Sequence, residues 1–244
     1  MNSPIILLHA FPLSAVMFDE LRAEMTVPIY TPELPGFGGV FATPDEPGMR
    51  AIAKSVLAYA DAHDFDHFIV GGVSLGGYVV MELMRIAPER FVTALLIDTK
   101  AGEDSPEGKT NRERIARLAL QHGTSSLLGA MLPPLTGKTT KAANPQVIQR
   151  ISEIFSQADP AAIAWTQRAM ATRLDSLPTL QNFAAPLLVI VGDEDEIAPV
   201  ADARQMAEAA VQGELAIIEG AGHLAVMERP AECARVIEQW LGQL

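Results

Sequence analysis

Six short apolar segments constrain the fold of this chain more than any other feature. None alternates strictly between apolar and polar residues, and such continuous runs are typical of strands buried on both faces of a sheet. Helical periodicity lies between them, at residues 18–24, 49–62, 75–87, 200–209 and 230–241. This alternation predicts an α/β fold with one sheet of about six mostly parallel strands flanked by helices. The six segments are PIILLH, VPIYTP, HFIVGG, FVTALLID, PLLVIVG and ELAIIEG.

The alternation stops between the fourth and fifth segments. Residues 102–183 show helical patterns interrupted by LPPLTGK and ADP, and no strand pattern. We predict a helical insertion at 102–183, before the penultimate strand, and a core formed by residues 1–101 and 184–244. Residues 101–183 carry nine basic and seven acidic side chains, whereas the whole chain has a formal net charge of −12. The insertion is therefore slightly basic and the remainder strongly acidic.

The acidic composition limits the classes of partner. Nucleic acids and anionic membranes both bind basic surfaces, so neither is expected as the main partner of this chain. No apolar run approaches the roughly 20 residues that span a bilayer. The apolar run at residues 5–8 is too short for a signal peptide and has no positive leader. We expect a soluble, cytoplasmic protein that acts on a small molecule.

The single cysteine, Cys233, excludes an intrachain disulfide and fits a reducing compartment. Helical spacing places it on the apolar face of the last helix, so we expect it to be buried. No pair of histidines or carboxylates shows metal-ligand spacing, and no dinucleotide or phosphate loop is present. The sequence therefore predicts chemistry without a metal or cofactor.

The stretch FIVGGVSLGGY places Ser74 at the junction of a strand and a helix. A side chain on Gly72 or Gly76 would collide with such a sharp turn, so the glycines let the serine protrude. Its hydroxyl would stand at a helix N-terminus, where the N–H of Leu75 favours a developing negative charge. The alternative is a glycine-rich turn in which the serine is incidental.

A serine hydroxyl needs a base to become a nucleophile, and the base needs an orienting carboxylate. The sequence offers His223 on a glycine-rich loop after the last strand, in IIEGAGHLAVMERP. It offers Asp195 just beyond the preceding strand, in LLVIVGDEDEIAP. Asp193 and Asp98, which also follow strands, are the alternative acids.

These motifs resemble the α/β-hydrolase superfamily over nearly the whole chain outside the insertion. HAFPLS, LPGFGG, GVSLGG, GDEDEIAP and GAGHLAVMERP match the family's motifs in order and at ordinary spacings. The chain order Ser74, Asp195, His223 is that of the family. The family pattern GxxDxxxP selects Asp195 over Asp193, although some relatives take their acid at the position of Asp98. The resemblance also implies that the insertion is a helical cap over the substrate pocket.

The resemblance assigns supporting roles near the serine. It implies that His9 holds the oxyanion loop rather than transferring protons, and that Phe11 supplies a second oxyanion N–H beside Leu75. Alanine at position 10 departs from the family's glycine. Relatives commonly begin with two strands before this loop, whereas only three residues precede the first strand here. We therefore expect a parallel sheet truncated at one edge, and a partner chain covering that edge would make a homodimer.

The resemblance favours a hydrolase that cleaves a carboxylic ester or lactone through an acyl-enzyme. The chain is most similar to the small capped group that includes 3-oxoadipate enol-lactonases, carboxylesterases and cofactor-free perhydrolases. A perhydrolase or a C–C bond hydrolase is an alternative within enzymes. A ligand receptor with slow or no turnover is the alternative outside them.

The basic residues of the insertion suggest a substrate class. An inward-facing arginine could hold a carboxylate-bearing ester or lactone through charge-assisted hydrogen bonds. The competing interpretation is that these arginines form solvated helix faces. The residues concerned are Arg112, Arg114, Arg117, Arg168 and Arg173.

Overall fold

The computed structural model describes residues 3–40 and 46–244. Its single sheet contains six strands in the order β2-β1-β3-β4-β5-β6, and every neighbouring pair is parallel. The strands are β1 (Ile5–Leu8), β2 (Ile29–Tyr30), β3 (Phe68–Val73), β4 (Phe91–Ile97), β5 (Leu187–Gly192) and β6 (Gly213–Ile218). The predicted fold class, with six parallel strands and no antiparallel strand at the β2 edge of the described sheet, is confirmed.

Burial across the sheet matches the apolar runs. Every residue of β1, β3 and β5 is buried, as continuous apolar strands covered on both faces should be. The edge strand β6 is only partly buried. The other edge strand, β2, pairs over two residues because Pro28 and Pro32 bracket it, and proline cannot donate to a ladder.

Helices cover both faces of the sheet and also fill the insertion. The core helices are α1 (Asp19–Glu24), α2 (Met49–Ala62), α3 (Leu75–Ile86), α10 (Val200–Ala209), α11 (Ala225–Glu228) and α12 (Pro230–Leu241). Cys233 lies fully buried on α12 with Ile237 and Trp240, as its spacing predicts. No helix in the described ranges is long and apolar enough to cross a membrane.

Residues 102–183, all of which the structure describes, contain six α-helices and no strand. Their ends are set by local signals: Ser105 caps α4 by accepting the Gly108 N–H, and Asp159 caps α8 by accepting the Ala161 N–H. These helices are α4 (Pro106–His122), α5 (Ser125–Met131), α6 (Lys138–Ala143), α7 (Pro145–Ser156), α8 (Pro160–Ala171) and α9 (Leu177–Gln181).

The helical insertion leaves and rejoins the core at nearly one place. The N–H of Ser176 donates to the carbonyl oxygen of Ala101 at 3.0 Å. Beside this bond, the guanidinium of Arg173 donates to the carbonyl oxygen of Gly102 through Nη2 (2.8 Å) and Nε (3.1 Å). Residues 102–175 therefore leave the core after Ala101 and return to it at Ser176, and α9, the last helix of the segment 102–183, packs against α3 and α10.

The order of the strands reverses next to β1. From β1 the chain moves to β2 on one side and then to β3 on the other, so the loops that follow β1 and β3 diverge at the carboxyl edge of the sheet. Ligands of open α/β sheets bind in the crevice at such a reversal. The loop with Phe11 follows β1 and the turn with Ser74 follows β3, so both lie at this crevice.

Candidate active site

Ser74 occupies a strained turn between β3 and α3. Its φ of 53° lies in the region that residues with a side chain rarely adopt, and its N–H donates to the carbonyl oxygen of Ile97 at 2.9 Å. A Cβ added to Gly72 would lie 2.1 Å from the carbonyl carbon of Gly76. A Cβ added to Gly76 would lie 2.2 Å from the carbonyl oxygen of Leu8. The turn therefore requires glycine at both positions.

Three side chains from separate loops form one hydrogen-bonded chain. His223 Nε2 lies 2.8 Å from the hydroxyl oxygen of Ser74, and His223 Nδ1 lies 2.8 Å from Asp195 Oδ2. The other oxygen of Asp195 accepts the N–H groups of Ile197 (2.8 Å) and Ala198 (2.9 Å). The side chains of His223 and Asp195 are almost completely buried. The structure thus brings together the three residues that the sequence motifs single out.

The alternative acids lie elsewhere. Asp193 is exposed and accepts the N–H of Gly220 at 2.7 Å, which stabilises the loop that leads to His223. Asp98 lies behind the acid–base pair and hydrogen-bonds to backbone N–H groups rather than to the imidazole. The carboxylate on the imidazole is therefore that of Asp195.

Asp98 is fully buried at the end of β4, with a positive φ of 45°. One of its oxygens accepts the N–H of Gly192 at 2.9 Å, and the other accepts the N–H of Ala225 at 2.8 Å. Burial, reinforced by the charge of Asp195, raises the pKa of Asp98 to about 7, although His223 and the two hydrogen bonds oppose the shift. Asp98 therefore joins the end of β5 to the segment that follows His223.

His9 is buried under the loop that carries Phe11. Its Nε2 accepts the N–H of Leu34 at 3.1 Å, so its Nδ1 carries the proton and donates to the carbonyl oxygen of Ala10 at 3.0 Å. Burial lowers the pKa of His9 to about 4 despite this second bond. A neutral ring with both nitrogens engaged fits a residue that fixes the loop.

Two backbone N–H groups beside Ser74 are unengaged. Leu75 is the first residue of α3, so its N–H has no acceptor within the helix. The N–H of Phe11 donates to no acceptor among residues 3–40 and 46–244. Both N–H groups are therefore available to a ligand.

A cavity of about 430 Å³ opens above Ser74 and His223. One of its walls is apolar and is formed largely by α5 and the short 3₁₀ turn after it, with Leu127, Met131 and Leu135. The polar residues that line the cavity include Arg112 and Gln167. Most of the lining residues belong to the helical insertion, so its side chains decide the shape and charge of the cavity.

The five predicted arginines separate into three groups. Arg112 and Arg114 line the cavity. Arg173 is buried behind it, with its guanidinium carbon 4.4 Å from the ring centre of the cavity residue Tyr78. The third group is Arg117 and Arg168, two of the five candidates for an inward-facing arginine. Both pair with Glu113 and line no part of the cavity.

Arg112 and Arg173 share one carboxylate. Asp104 pairs with Arg112 through Nε and with Arg173 through Nη1, the latter at 2.6 Å. Burial would raise the pKa of Asp104, but the hydrogen bonds and charges of the two arginines outweigh it and lower that pKa below its ordinary value. Arg112 also donates to Gln167 Oε1 at 3.1 Å. Two guanidinium groups thus face one carboxylate, which leaves a local excess of one positive charge.

Sequence reasoning missed the contacts that join the insertion to the loops of the site. Glu228 accepts backbone N–H groups on both sides of His223 and one from Gly137. Glu194 accepts the N–H of Thr139 at 2.8 Å and its hydroxyl at 2.6 Å. The sequence signal for Glu228 is that it is a single acidic residue directly after the apolar run LAVM. No group of three His, Cys, Asp or Glu side chains in the described ranges is placed to hold a metal ion.

The fold and these motifs together define a class of protein. The sequence profile of the alpha/beta hydrolase family matches residues 5–236, and the chain belongs to that family.

Individual relatives are similar along most of the chain. The solved structure of a thermophilic esterase from Thermogutta terrifontis, determined with malate bound, is 32% identical, covers 100% of this chain and 90% of that chain, and superposes with a TM-score of 0.95. The 3-oxoadipate enol-lactonase 2 of Acinetobacter baylyi is 24% identical over 201 residues, 82% of this chain and 73% of the relative. BpoC of Mycobacterium tuberculosis, by name a non-heme bromoperoxidase, is 28% identical over 212 residues, 79% of this chain and 75% of the relative. The predicted membership of the superfamily is confirmed.

Proposed function

We propose that this chain is a serine hydrolase that cleaves a carboxylic ester or lactone through an acyl-enzyme. One observation carries the proposal: the hydrogen-bonded series from Ser74 through His223 to Asp195, with both contacts of the imidazole at 2.8 Å, at the floor of a cavity. Relatives named as an esterase and an enol-lactonase support the same reaction class.

In the proposed reaction, Ser74 Oγ attacks the substrate carbonyl carbon while His223 Nε2 accepts its proton. The N–H groups of Phe11 and Leu75 donate to the oxyanion that forms. His223 then gives the proton to the leaving oxygen. It later accepts a proton from the water that attacks the acyl-enzyme and returns it to Ser74 Oγ as the Oγ–carbonyl bond breaks. Asp195 keeps the proton of the imidazole on Nδ1 throughout.

The substitution Ser74→Ala tests the nucleophile. We expect hydrolysis of p-nitrophenyl acetate to fall below about one hundredth of the wild-type rate, since the loss of a nucleophile costs several orders of magnitude. His223→Ala should be equally damaging, and Asp195→Asn should lose about three to four orders of magnitude. Circular dichroism of each variant checks that the fold is intact.

Two outcomes would contradict these assignments. If Asp98→Asn loses activity as severely and Asp195→Asn does not, Asp98 is the orienting acid. If the wild type gives no burst and no turnover while ligands stabilise it against heat, the chain is a ligand-binding protein of the same fold.

We further propose that the substrate carries a carboxylate, held by Arg112, which lines the cavity. The shared pairing of Arg112 and Arg173 with Asp104 leaves one positive charge in excess, and Arg114 adds a second at the cavity wall. A guanidinium binds a carboxylate through charge-assisted hydrogen bonds. The malate in the esterase relative, a dicarboxylate, is in keeping with such a substrate.

The test compares a neutral ester with its carboxylate analogue. Arg112→Ala should lower kcat/KM for the carboxylate ester by about tenfold or more, since a hydrogen bond to a charged group contributes about 1.5–3 kcal/mol. The neutral ester should change by less than about threefold. Arg117→Ala is the matched control. Arg117 lies on the same helix but does not line the cavity, and its Nε pairs with Glu113 Oε1 at 3.0 Å. Equal losses for both esters would rule out the carboxylate site.

A further inference from the structure

A single buried carboxylate fixes the backbone on both sides of His223. Glu228 is the last residue of α11 and is 3% exposed. Its Oε1 accepts the N–H of Gly222 at 2.9 Å and the N–H of Leu224 at 3.3 Å. These are the two residues that flank His223, so movement of Glu228 would be transmitted directly to the imidazole.

The other oxygen of the same carboxylate reaches the helical insertion. Glu228 Oε2 accepts the N–H of Gly137 at 2.8 Å, just before α6 begins. The two backbones touch here, because a Cβ added to Gly222 would lie 2.2 Å from the nitrogen of Gly137. The loop that carries His223 thus packs so closely against the insertion that no side chain fits between Gly222 and Gly137.

Backbone N–H groups are the hydrogen-bond donors to this carboxylate among the described residues. No lysine, arginine or histidine forms an ion pair with Glu228 within the described part of the chain. Three N–H groups therefore satisfy the charge, and each lost bond leaves a buried polar group unpaired. Such a group holds its donors in one arrangement, which is what a positioning residue must do.

We propose that Glu228 is a positioning residue for His223 that couples the seating of the insertion to the placement of the base. The proposal rests on the proposed function of His223. The imidazole remains 2.8 Å from Ser74 Oγ only while Glu228 holds Gly222, Leu224 and Gly137 together. An insertion that lifts at Gly137 would release one oxygen of Glu228 and loosen the base at the same time.

The substitution Glu228→Gln tests the proposal with almost no change in volume. The amide keeps one accepting oxygen, but its NH₂ group is a donor. This donor must face another donor, either the N–H of Gly137 or the N–H groups beside His223. We expect kcat to fall about tenfold to a hundredfold with KM within about threefold, because a small misplacement of a catalytic group costs about this much. The pH profile of kcat/KM should also shift, since the environment of the imidazole changes.

Asp193→Asn is the matched control. Asp193 also accepts a backbone N–H of the loop before His223, that of Gly220, but it does not flank the histidine. It should keep kcat and the pH profile of the wild type. A kcat of Glu228→Gln within about twofold of wild type, or a loss that only follows the fraction of unfolded protein, would overturn the proposal.

A second measurement needs no turnover. The proton on His223 Nδ1, bonded to Asp195, should give a downfield imidazole resonance in the wild type and in Asp193→Asn, and lose it or broaden it in Glu228→Gln. An unchanged resonance in Glu228→Gln would overturn the proposal. Should Glu228→Gln fail to fold, Glu228→Asp, which keeps the charge but shortens the reach, should show the same loss. Wild type and Ser74→Ala, measured in parallel, separate a failure of this proposal from a failure of the proposed function.

Discussion

Asp98 shows how one residue can lie beside the hydrogen-bonded pair of Asp195 and His223 without belonging to it. Its two oxygens bind backbone N–H groups on the strand end before Asp195 and on the helix after His223. The titratable groups that influence it are Asp195 and His223. Burial raises the pKa of the Cys233 thiol, and the charge of Asp98 adds to that shift. Burial therefore opposes the ionisation of Asp98, whereas its two hydrogen bonds favour it.

The raised pKa of Asp98 has a consequence for stability. Between its ordinary pKa of 3.8 and about 7, the unfolded chain releases this proton and the folded chain keeps it. The contribution of Asp98 is thus fully present below pH 3.8 and is lost as the pH rises to about 7. Relative to Asp98→Asn, we expect the wild type to lose about 4 kcal/mol of unfolding free energy across this range, at about 1.4 kcal/mol per pKa unit.

Urea unfolding of both proteins at pH 4, 5, 6, 7 and 8 measures this difference. Asp193→Asn, unfolded in parallel, is the control for the same replacement of a carboxylate by an amide at an exposed position. If the difference in unfolding free energy between wild type and Asp98→Asn stays constant from pH 4 to 7, Asp98 is ionised throughout.

At the scale of elements, the turn between β3 and α3 depends on the contact between α3 and β1. The helix begins against the strand so closely that a side chain at Gly76 would overlap the carbonyl oxygen of Leu8. The same contact brings the N–H of Leu75 towards the loop after β1. The placement of α3 therefore also sets the position of the N–H of Leu75, the proposed oxyanion donor.

Gly76→Ala should destabilise the protein by about 2 kcal/mol or more, because a methyl group forced into a packed interior moves backbone. Gly129→Ala is its counterpart on the exposed side of α5, where an added Cβ meets nothing within 4 Å. This change should stabilise the chain by about 0.5–1 kcal/mol, since alanine favours a helix over glycine. Thermal and urea unfolding of the two variants gives the comparison. A Gly76→Ala protein as stable as wild type would mean that α3 and β1 separate easily.

At the scale of the whole molecule, features encoded by adjacent residues could be predicted from the sequence. The apolar runs predicted all six strands, and the glycines around Ser74 predicted a turn whose steric reason the coordinates supply. The segment VPIYTP predicted the position of β2 but not its length. That length depends on where its prolines interrupt the hydrogen bonds to β1.

Features set by contacts between distant residues could not be predicted. Arg117 reaches Glu113 within α4, four residues away, but Arg168 lies 55 positions from Glu113 and only the packing of α4 against α8 brings the two together. Glu228 reaches Gly137 across 91 residues. Which arginine faces the cavity depends on the rotation of α4 relative to the sheet, and helical periodicity alone does not determine that rotation.

The hydrogen bond between Ser176 and Ala101 has an evolutionary consequence. A segment whose two ends meet can change in length at a small entropic cost, because closure entropy grows only slowly with the number of residues. The strands would keep their register while the residues between these ends were replaced by another family member's. Selection can therefore alter which molecules enter without altering the chemistry beneath them. Glu228 on α11 imposes a condition on any replacement: a backbone N–H where Gly137 now donates to its carboxylate.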